Sequence, residues 1–452
     1  TTGRRQIGSH SDSFHQVGWS NHFVSAVIER PAIMDWAIDR DQVDWSSFAM
    51  PLSGLRGALA ESWDISPDGL TYTFNIRKGV NWHDKAPMNG RELTAQDIEY
   101  NFHRLLGMGS GFTERSEFAT SWAGADVQLE SITATDKWTV VFKLKEPYLR
   151  APILIQDWYN VFMYPPEVIR EHGDASDWRN LVGTGPFMLT DWTEEVSLTW
   201  TKNPDYWGFD EKYPENRLPY IDEVEALTIK EPETRLAGLR TGKIDFVGFA
   251  GNTQIMEVDQ LESLLRTNPE LVVHPYLSRS NNCGLINVSK PPLDDVRVRH
   301  ALQMALDLET INDTYYGGYA SWENPAWNGV KGYFTPFEEW PEELKGYYTY
   351  DPEGAEALLD AAGYLRGADG YRMTVKFGHF ARYDVDYSEI MLAYFDAIGV
   401  KSEMVVITDP ELLPIGEAET MEFVTSNWAA YPLAAPGTYV YAIVLTPSKY
   451  NW

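Results

Sequence analysis

The chain has 452 residues, 44% of them hydrophobic, with 66 acidic against 37 basic side chains and a net charge of −29. Such a polyanion repels nucleic acid and anionic lipid, whose association depends on clustered Lys and Arg, and the charge reads as a solvated acidic surface. No run approaches the roughly 18 apolar residues of a membrane span, and at roughly 150 residues per domain the length holds about three domains' worth of core.

In chain order, the first forty residues are rich in His, Ser and aromatics. His10, His15 and His22 are spaced by five and seven, which matches neither the i,i+4 helical pair nor the short loops that metal ligands favour, so no metal site is expected. From Leu59 to Leu106 the pattern is strand, turn, strand, loop and helix. Asp68-Gly69 supplies the turn. Leu70, Tyr72, Phe74 and Ile76 alternate with polar residues as a half-buried strand. Thr94-Ala95-Gln96-Asp97 starts a helix whose apolar stripe is Ile98, Phe102, Leu105 and Leu106.

The glycine-rich stretch Gly107–Gly111 follows a helix and lacks a downstream Lys-Ser/Thr, so it reads as a flexible loop and not a phosphate cradle. Trp138, Val140, Phe142 and Leu144 predict a second strand ending at Lys145-Glu146-Pro147. In VGTGPFMLTDWTEEVSLTWTKNPDYWG (182–208), Gly183 and Gly185 predict close backbone packing, Val196, Leu198 and Trp200 a strand, and Asn203–Trp207 the turn leaving it. Residues 234–245 predict a helix closed by Gly242 and followed by a strand. Asp294 or Asp295 caps a helix with Val298, Ala301, Leu302, Ala305 and Leu306 on one side, and Asp351-Pro352 and Gly363 bracket a later one.

Catalytic signatures are missing: there is no G-x-S-x-G, H-E-x-x-H or Walker A motif. The single cysteine, Cys283, excludes an intrachain disulfide and reads as a small buried apolar group on a strand. The expectation is a binding protein without catalytic residues, metal ligands or cofactor.

LAESW, DGLTYTF, R-K-G-V-x-W-H-D, L-K-E-P, GTGPF with N-P-D-Y-W, the 234–245 helix and the 284–311 segment fall in this order over residues 59–363. Together they resemble the extracytoplasmic solute-binding proteins of the oligopeptide, dipeptide and nickel type, solute-binding family 5, which serve ABC importers. The resemblance implies a two-lobed α/β fold of the periplasmic-binding class II type with an extra domain, its mixed sheets flanked by helices. It implies residues 1–40 as the first part of domain I, 41–179 as domain II, 180–275 as the second part of domain I and 276–452 as domain III. It further implies a monomer with a membrane permease as partner, and a periplasmic or cell-surface lipoprotein location whose signal peptide is absent from Thr1-Thr2-Gly3. The family's chains continue past the segment matching Leu445–Trp452, so more sequence is expected beyond Trp452.

A ligand is expected in the interlobe cleft, held by Trp19, Asn21 and His22 near the first helix, Asn282 on the crossover into domain III, and Trp428, Tyr431 and Tyr439 late in the chain. Peptide-binding members carry W-x-A-D-Y-x-x-P here, with the Asp holding the ligand's ammonium group. The matching stretch is Trp428-Ala429-Ala430-Tyr431-Pro432, and no Asp or Glu occurs from Phe423 to Trp452. A buried ammonium without a partner costs several kcal/mol, on the order of other unpaired buried ions. Two ligand classes stay open. A short peptide fits the family's habit, and an oligosaccharide fits aromatic faces without the Asp. A nickel-type metal chelate, or an interaction module using the fold without transport, is the alternative.

Overall fold

In the computed structural model, the residues described are 24–35, 37–39, 55–116, 129–147, 162–194, 196–247, 258–273, 280–288, 290–321, 335–380, 385–407 and 423–429. Two units emerge: Arg4–Asp39 with Pro51–Ile229, and Thr1–Gly3, Arg40–Met50 and Lys230–Trp452. The fold is mixed α/β, as expected, and each unit carries its own sheets and core.

In the unit ending at Ile229, strands β1 (Ala32–Met34) and β2 (Leu55–Gly57) form an antiparallel pair. β3 (Ala60–Ile65), β4 (Thr71–Ile76), β5 (Leu129–Ala134) and β6 (Thr139–Leu144) make an antiparallel sheet in the order β3-β4-β6-β5. The period-2 pattern explains it: Tyr72, Phe74 and Ile76 of β4 and Val140, Phe142 and Leu144 of β6 are buried. Helix α1 (Ala95–Leu106) lies on this face. Phe102 meets Phe142 edge-on at 4.9 Å, and Phe142 meets Phe74 at 5.1 Å. Each such ring contributes roughly 1.5–3 kcal/mol by leaving water.

The T-A-x-D start of α1 has a clear physical role. Asp97 Oδ2 accepts from the Thr94 amide at 2.8 Å in a capping box, and the same carboxylate receives Arg91 in a two-pronged pair at 2.8 and 2.9 Å. Arg91 reaches on to Glu167 at 3.1 Å, so the motif both starts the helix and ties it to the preceding loop and, through Arg91, to the helix Pro166–His172. The Gly107–Gly111 stretch does follow α1, but it is pinned: Ser110 Oγ lies 2.9 Å from His103 Nδ1, and a Cβ at Gly109 would meet the His103 ring at 2.7 Å.

A third sheet holds β7 (Phe187–Thr193), β8 (Ser197–Lys202) and β9 (Glu223–Leu227), all antiparallel. Leu198 and Trp200 are buried as predicted, whereas Val196 falls in the turn before β8 and is exposed.

The other unit is built on one mixed sheet of β10 (Ser280–Ile286), β11 (Met373–Phe380), β12 (Val400–Ile407) and β13 (Phe423–Ala429), in the order β10-β13-β11-β12. The helix Val296–Met304 starts on Asp295, whose carboxylate accepts from the Arg297 amide at 2.9 Å. Val298, Ala301 and Leu302 pack with Leu359 of the helix Pro352–Ala361 and with Phe377 and Phe395. Asp351 caps that second helix and Gly363 follows it at φ 93°. The helix Pro232–Arg240 ends before Gly242 at φ 63°, but residues 243–247 form no strand, which departs from the prediction for that stretch. No helix among the described residues is long and apolar enough to cross a membrane.

Candidate functional site

Two regions concentrate polar groups, one in each unit. The first is the β10–β13 pair. Its register sets Asn281 opposite Trp428, Asn282 opposite Asn427, and Cys283 opposite Ser426. Two of the expected ligand positions, 282 and 428, are therefore one rung apart on neighbouring strands, although 150 residues of sequence separate them. Opposite residues share a face and successive ones alternate, so 281 and 428 hold one face at this level and 282 and 427 the other. Trp19, Asn21, His22, Tyr431 and Tyr439 lie outside the described residues.

The register shows a second feature. β13 runs parallel to β11 only through the pairs Phe377–Phe423, Gly378–Val424 and His379–Thr425. From Ser426 to Ala429, among the described residues, β13 has a partner on the β10 side alone. β13 nevertheless lies inside the sheet, between β10 and β11.

The second region gathers around Glu29, which the sequence reading did not single out. The main chain at 27–31 is clamped from several sides: Gly185 N–H donates to Val27 O at 2.9 Å, Met163 N–H to Glu29 O at 3.2 Å, and Leu59 N–H to Arg30 O at 3.1 Å. Gly183 and Gly185 are required for this approach, since a Cβ would fall 1.8 Å from Val27 O or 2.6 Å from Ala26 O. Into the same knot comes the N-P-D-Y-W turn. Asn203 closes it by accepting from the Asp205 amide at 3.1 Å and donating to Gly185 O at 3.0 Å. Tyr206 then donates its hydroxyl to Glu29 Oε1 at 3.0 Å, and Trp207 its indole N–H to Glu29 Oε2 at 2.9 Å. The Arg77 guanidinium sits 4.7 Å from the Trp207 ring centre and donates to Ala58 O at 2.8 Å.

The R-K-G-V-x-W-H-D loop enters through His83, which is 1% exposed. Its amide donates to Gly183 O at 2.8 Å, its Nδ1 accepts from the Gly183 amide at 3.3 Å, and its Nε2 lies 3.0 Å from Gly185 O. This pattern fits one neutral tautomer, with the proton on Nε2. A proton added at Nδ1 would face an N–H. Burial accordingly lowers the His83 pKa to about 4. Burial acts in the opposite sense on Glu29, raising its carboxyl to about 7 against the pull of the Trp207 and Tyr206 donors. The one signal in the sequence was the charged pair Glu29-Arg30 inside the otherwise apolar stretch Val27–Ile33.

Among the described residues no group of three His, Cys, Asp or Glu side chains is placed to hold a metal ion. In the Glu29 knot the carboxylate, the His83 ring and the Asn203 side chain each meet protein partners, which suits a structural keystone. The β10–β13 pair instead brings positions 282 and 428, both expected at the ligand, to neighbouring rungs.

The sequence model of the "Bacterial extracellular solute-binding proteins, family 5 Middle" matches residues 54–451. The chain is 29% identical over 385 residues to the dipeptide-binding protein of Escherichia coli K12, an alignment covering 82% of this chain and 66% of the relative. It spans a little under two thirds of that relative's length. Among solved structures it is similar to the ABC transporter-associated periplasmic binding protein DppA of Helicobacter pylori in complex with the peptide STSA, with TM-score 0.70 and 24% identity over 96% of this chain and 78% of that one. It is also similar to NikZ of Campylobacter jejuni in complex with Ni(L-His), with TM-score 0.64 and 20% identity over 94% and 75% of the two chains.

Proposed function

The chain belongs to the bacterial extracellular solute-binding proteins of family 5, and from that premise we propose that it is the ligand-capturing component of an ABC importer whose cargo is a short peptide. The observation that carries the peptide reading is the family match over residues 54–451 together with the likeness to proteins named for peptides. The relative from E. coli is named for dipeptides and the DppA structure holds a peptide, both in keeping with this cargo.

The protein works outside the cytoplasm and hands its cargo to a membrane permease. The residues proposed to hold the ligand are those named from the sequence, Trp19, Asn21, His22, Asn282, Trp428, Tyr431 and Tyr439. Since no carboxylate occurs from Phe423 to Trp452, the peptide's ammonium group is held by an acid from another segment. The oligosaccharide reading draws no support from these relatives. A nickel chelate is the second reading, favoured by the likeness to NikZ with Ni(L-His); such a cargo would be gripped through its organic ligand.

Thermal melting against panels of di- to pentapeptides, oligosaccharides and Ni(L-His) tests the proposal. A ligand at 100 times its Kd raises stability by about 2.7 kcal/mol. Peptides are expected to raise the melting temperature. A shift given by sugars or by Ni(L-His) alone overturns the peptide reading.

A further inference from the structure

Between Gly208 and Leu218 the chain doubles back on itself. Phe209 and Arg217 form an antiparallel bridge, Leu218 N–H donates to Gly208 O at 3.0 Å, and Asp210 N–H to Asn216 O at 2.9 Å. The Asp210 carboxylate fills the interior. Its Oδ1 accepts from the Lys212 and Tyr213 amides at 2.7 and 3.0 Å, and its Oδ2 from the Tyr220 hydroxyl at 2.8 Å. Asn216 adds a side-chain bond to the same hydroxyl at 3.2 Å.

This bonding spends the polar groups inward and leaves large apolar ones outside. Phe209, Tyr213, Tyr220 and Ile221 are 49%, 58%, 57% and 57% exposed. A fixed loop that presents three rings and an isoleucine to water forgoes the free energy of burying them. Apolar surface of this kind with a charged rim marks an interaction site, and aromatic rings are enriched where proteins meet. Fixing the rings in advance also lowers the entropy cost of binding.

The rim is acidic. Seven carboxylates and two cationic side chains lie between Asp205 and Glu225, and Glu215, Glu223 and Glu225 are exposed. Rings flanked by carboxylates suit guanidinium and ammonium groups, which stack on the one and pair with the other. Within the loop itself the Arg217 guanidinium sits 5.5 Å from the Phe209 ring centre. An anionic membrane surface is repelled by the same charge.

We propose that Asp205–Glu225 is the surface by which this unit docks on a protein partner bearing exposed Arg and Lys, and that this partner is the importer's membrane permease. The inference rests on the importer reading above and adds to it the contact surface and its chemistry.

The test uses proteoliposomes holding the importer's permease and ATPase, with a dipeptide as probe, and reads dipeptide-stimulated ATP hydrolysis. The variant Phe209→Ser/Tyr213→Ser/Glu215→Lys keeps Asp210 and Tyr220, and with them the closure of the loop. Its dipeptide-induced thermal shift is expected to equal that of the starting protein, while stimulation falls at least tenfold. Stimulation equal to that of the starting protein overturns the docking inference and leaves the importer reading standing. If the starting protein binds dipeptide yet stimulates no hydrolysis, the importer reading fails and the docking inference with it. Should the triple variant melt early, Glu223→Lys/Glu225→Lys changes charge alone on exposed positions; it is expected to lose severalfold in stimulation at low salt, and no loss counts against the surface.

Discussion

The knot around Glu29 and the β10–β13 ribbon solve opposite problems. In the knot, three separate motifs converge on residues 26–31, and each polar group named there has a partner: Glu29 with Tyr206 and Trp207, His83 with Gly183 and Gly185, Asn203 with Gly185. In the ribbon, β10 and β13 bring 282 and 428, two positions expected at the ligand, to neighbouring rungs. Matched buried polar groups make a scaffold unique and rigid. Three motifs of the family resemblance therefore sit where the fold is fixed, and the residues proposed to choose the cargo carry little motif.

The strongest way to break this contrast is to disturb the knot. Gly183→Ala places a Cβ against the Val27 carbonyl, where neither backbone can yield cheaply. It is expected to destabilise by about 3 kcal/mol, the upper range for overpacking, read as a lower urea midpoint with unchanged slope.

The two titrating groups of the knot give a sharper test. Glu29 binds a proton more tightly in the native state, at about 7 against 4.5 for an ordinary glutamate. Its contribution to stability therefore rises as pH falls from 7 to 4.5. His83 binds its proton less tightly when native, at about 4 against 6.5, so its contribution falls as pH drops from 6.5 to 4. Each amounts to about 3 kcal/mol by linkage, and over the shared window the two offset each other. Glu29→Gln is expected to make stability drop more steeply with acid than in the starting protein between pH 7 and 4.5. His83→Gln should do the reverse between 6.5 and 4. Parallel pH profiles for both variants and the starting protein would mean that neither group is held as the geometry suggests.

The ribbon should respond differently. Trp428→Ala is expected to weaken peptide binding at least tenfold, in keeping with about 1.4 kcal/mol or more for an aromatic anchor, with a smaller change in melting temperature than Gly183→Ala. A loss of stability without a loss of affinity would move Trp428 from the site to the core. The smallest effect belongs to Glu215→Lys alone, exposed on the acidic loop, which should shift stability by no more than about 0.5 kcal/mol by thermal melting.

Much of the local structure was legible in the sequence. Tyr72, Phe74 and Ile76 alternate and are buried; Asp68-Gly69 turns; Thr94 and Asp97, Asp295 and Asp351 start their helices. These features depend on neighbours within a few residues, so periodicity and capping chemistry suffice. Local reading erred where only a short pattern was available, as at Val196, which continues the alternation but lies in the turn, and at 243–247, where the expected strand does not form.

Glu29 shows what local reading cannot reach. Its partners Tyr206 and Trp207 are 177 and 178 residues away, and nothing in the apolar run around it announces them. The pairing of 281 with 428 is of the same kind. Sequence alone determined the family, the mixed α/β class and the position of most helices and strands, because these follow from nearby residues and ordered motifs. Only the tertiary structure decided which carboxylate meets Tyr206 and Trp207, which histidine is held neutral and which strands pair, because burial and pairing are set by segments distant in the chain that fold against one another.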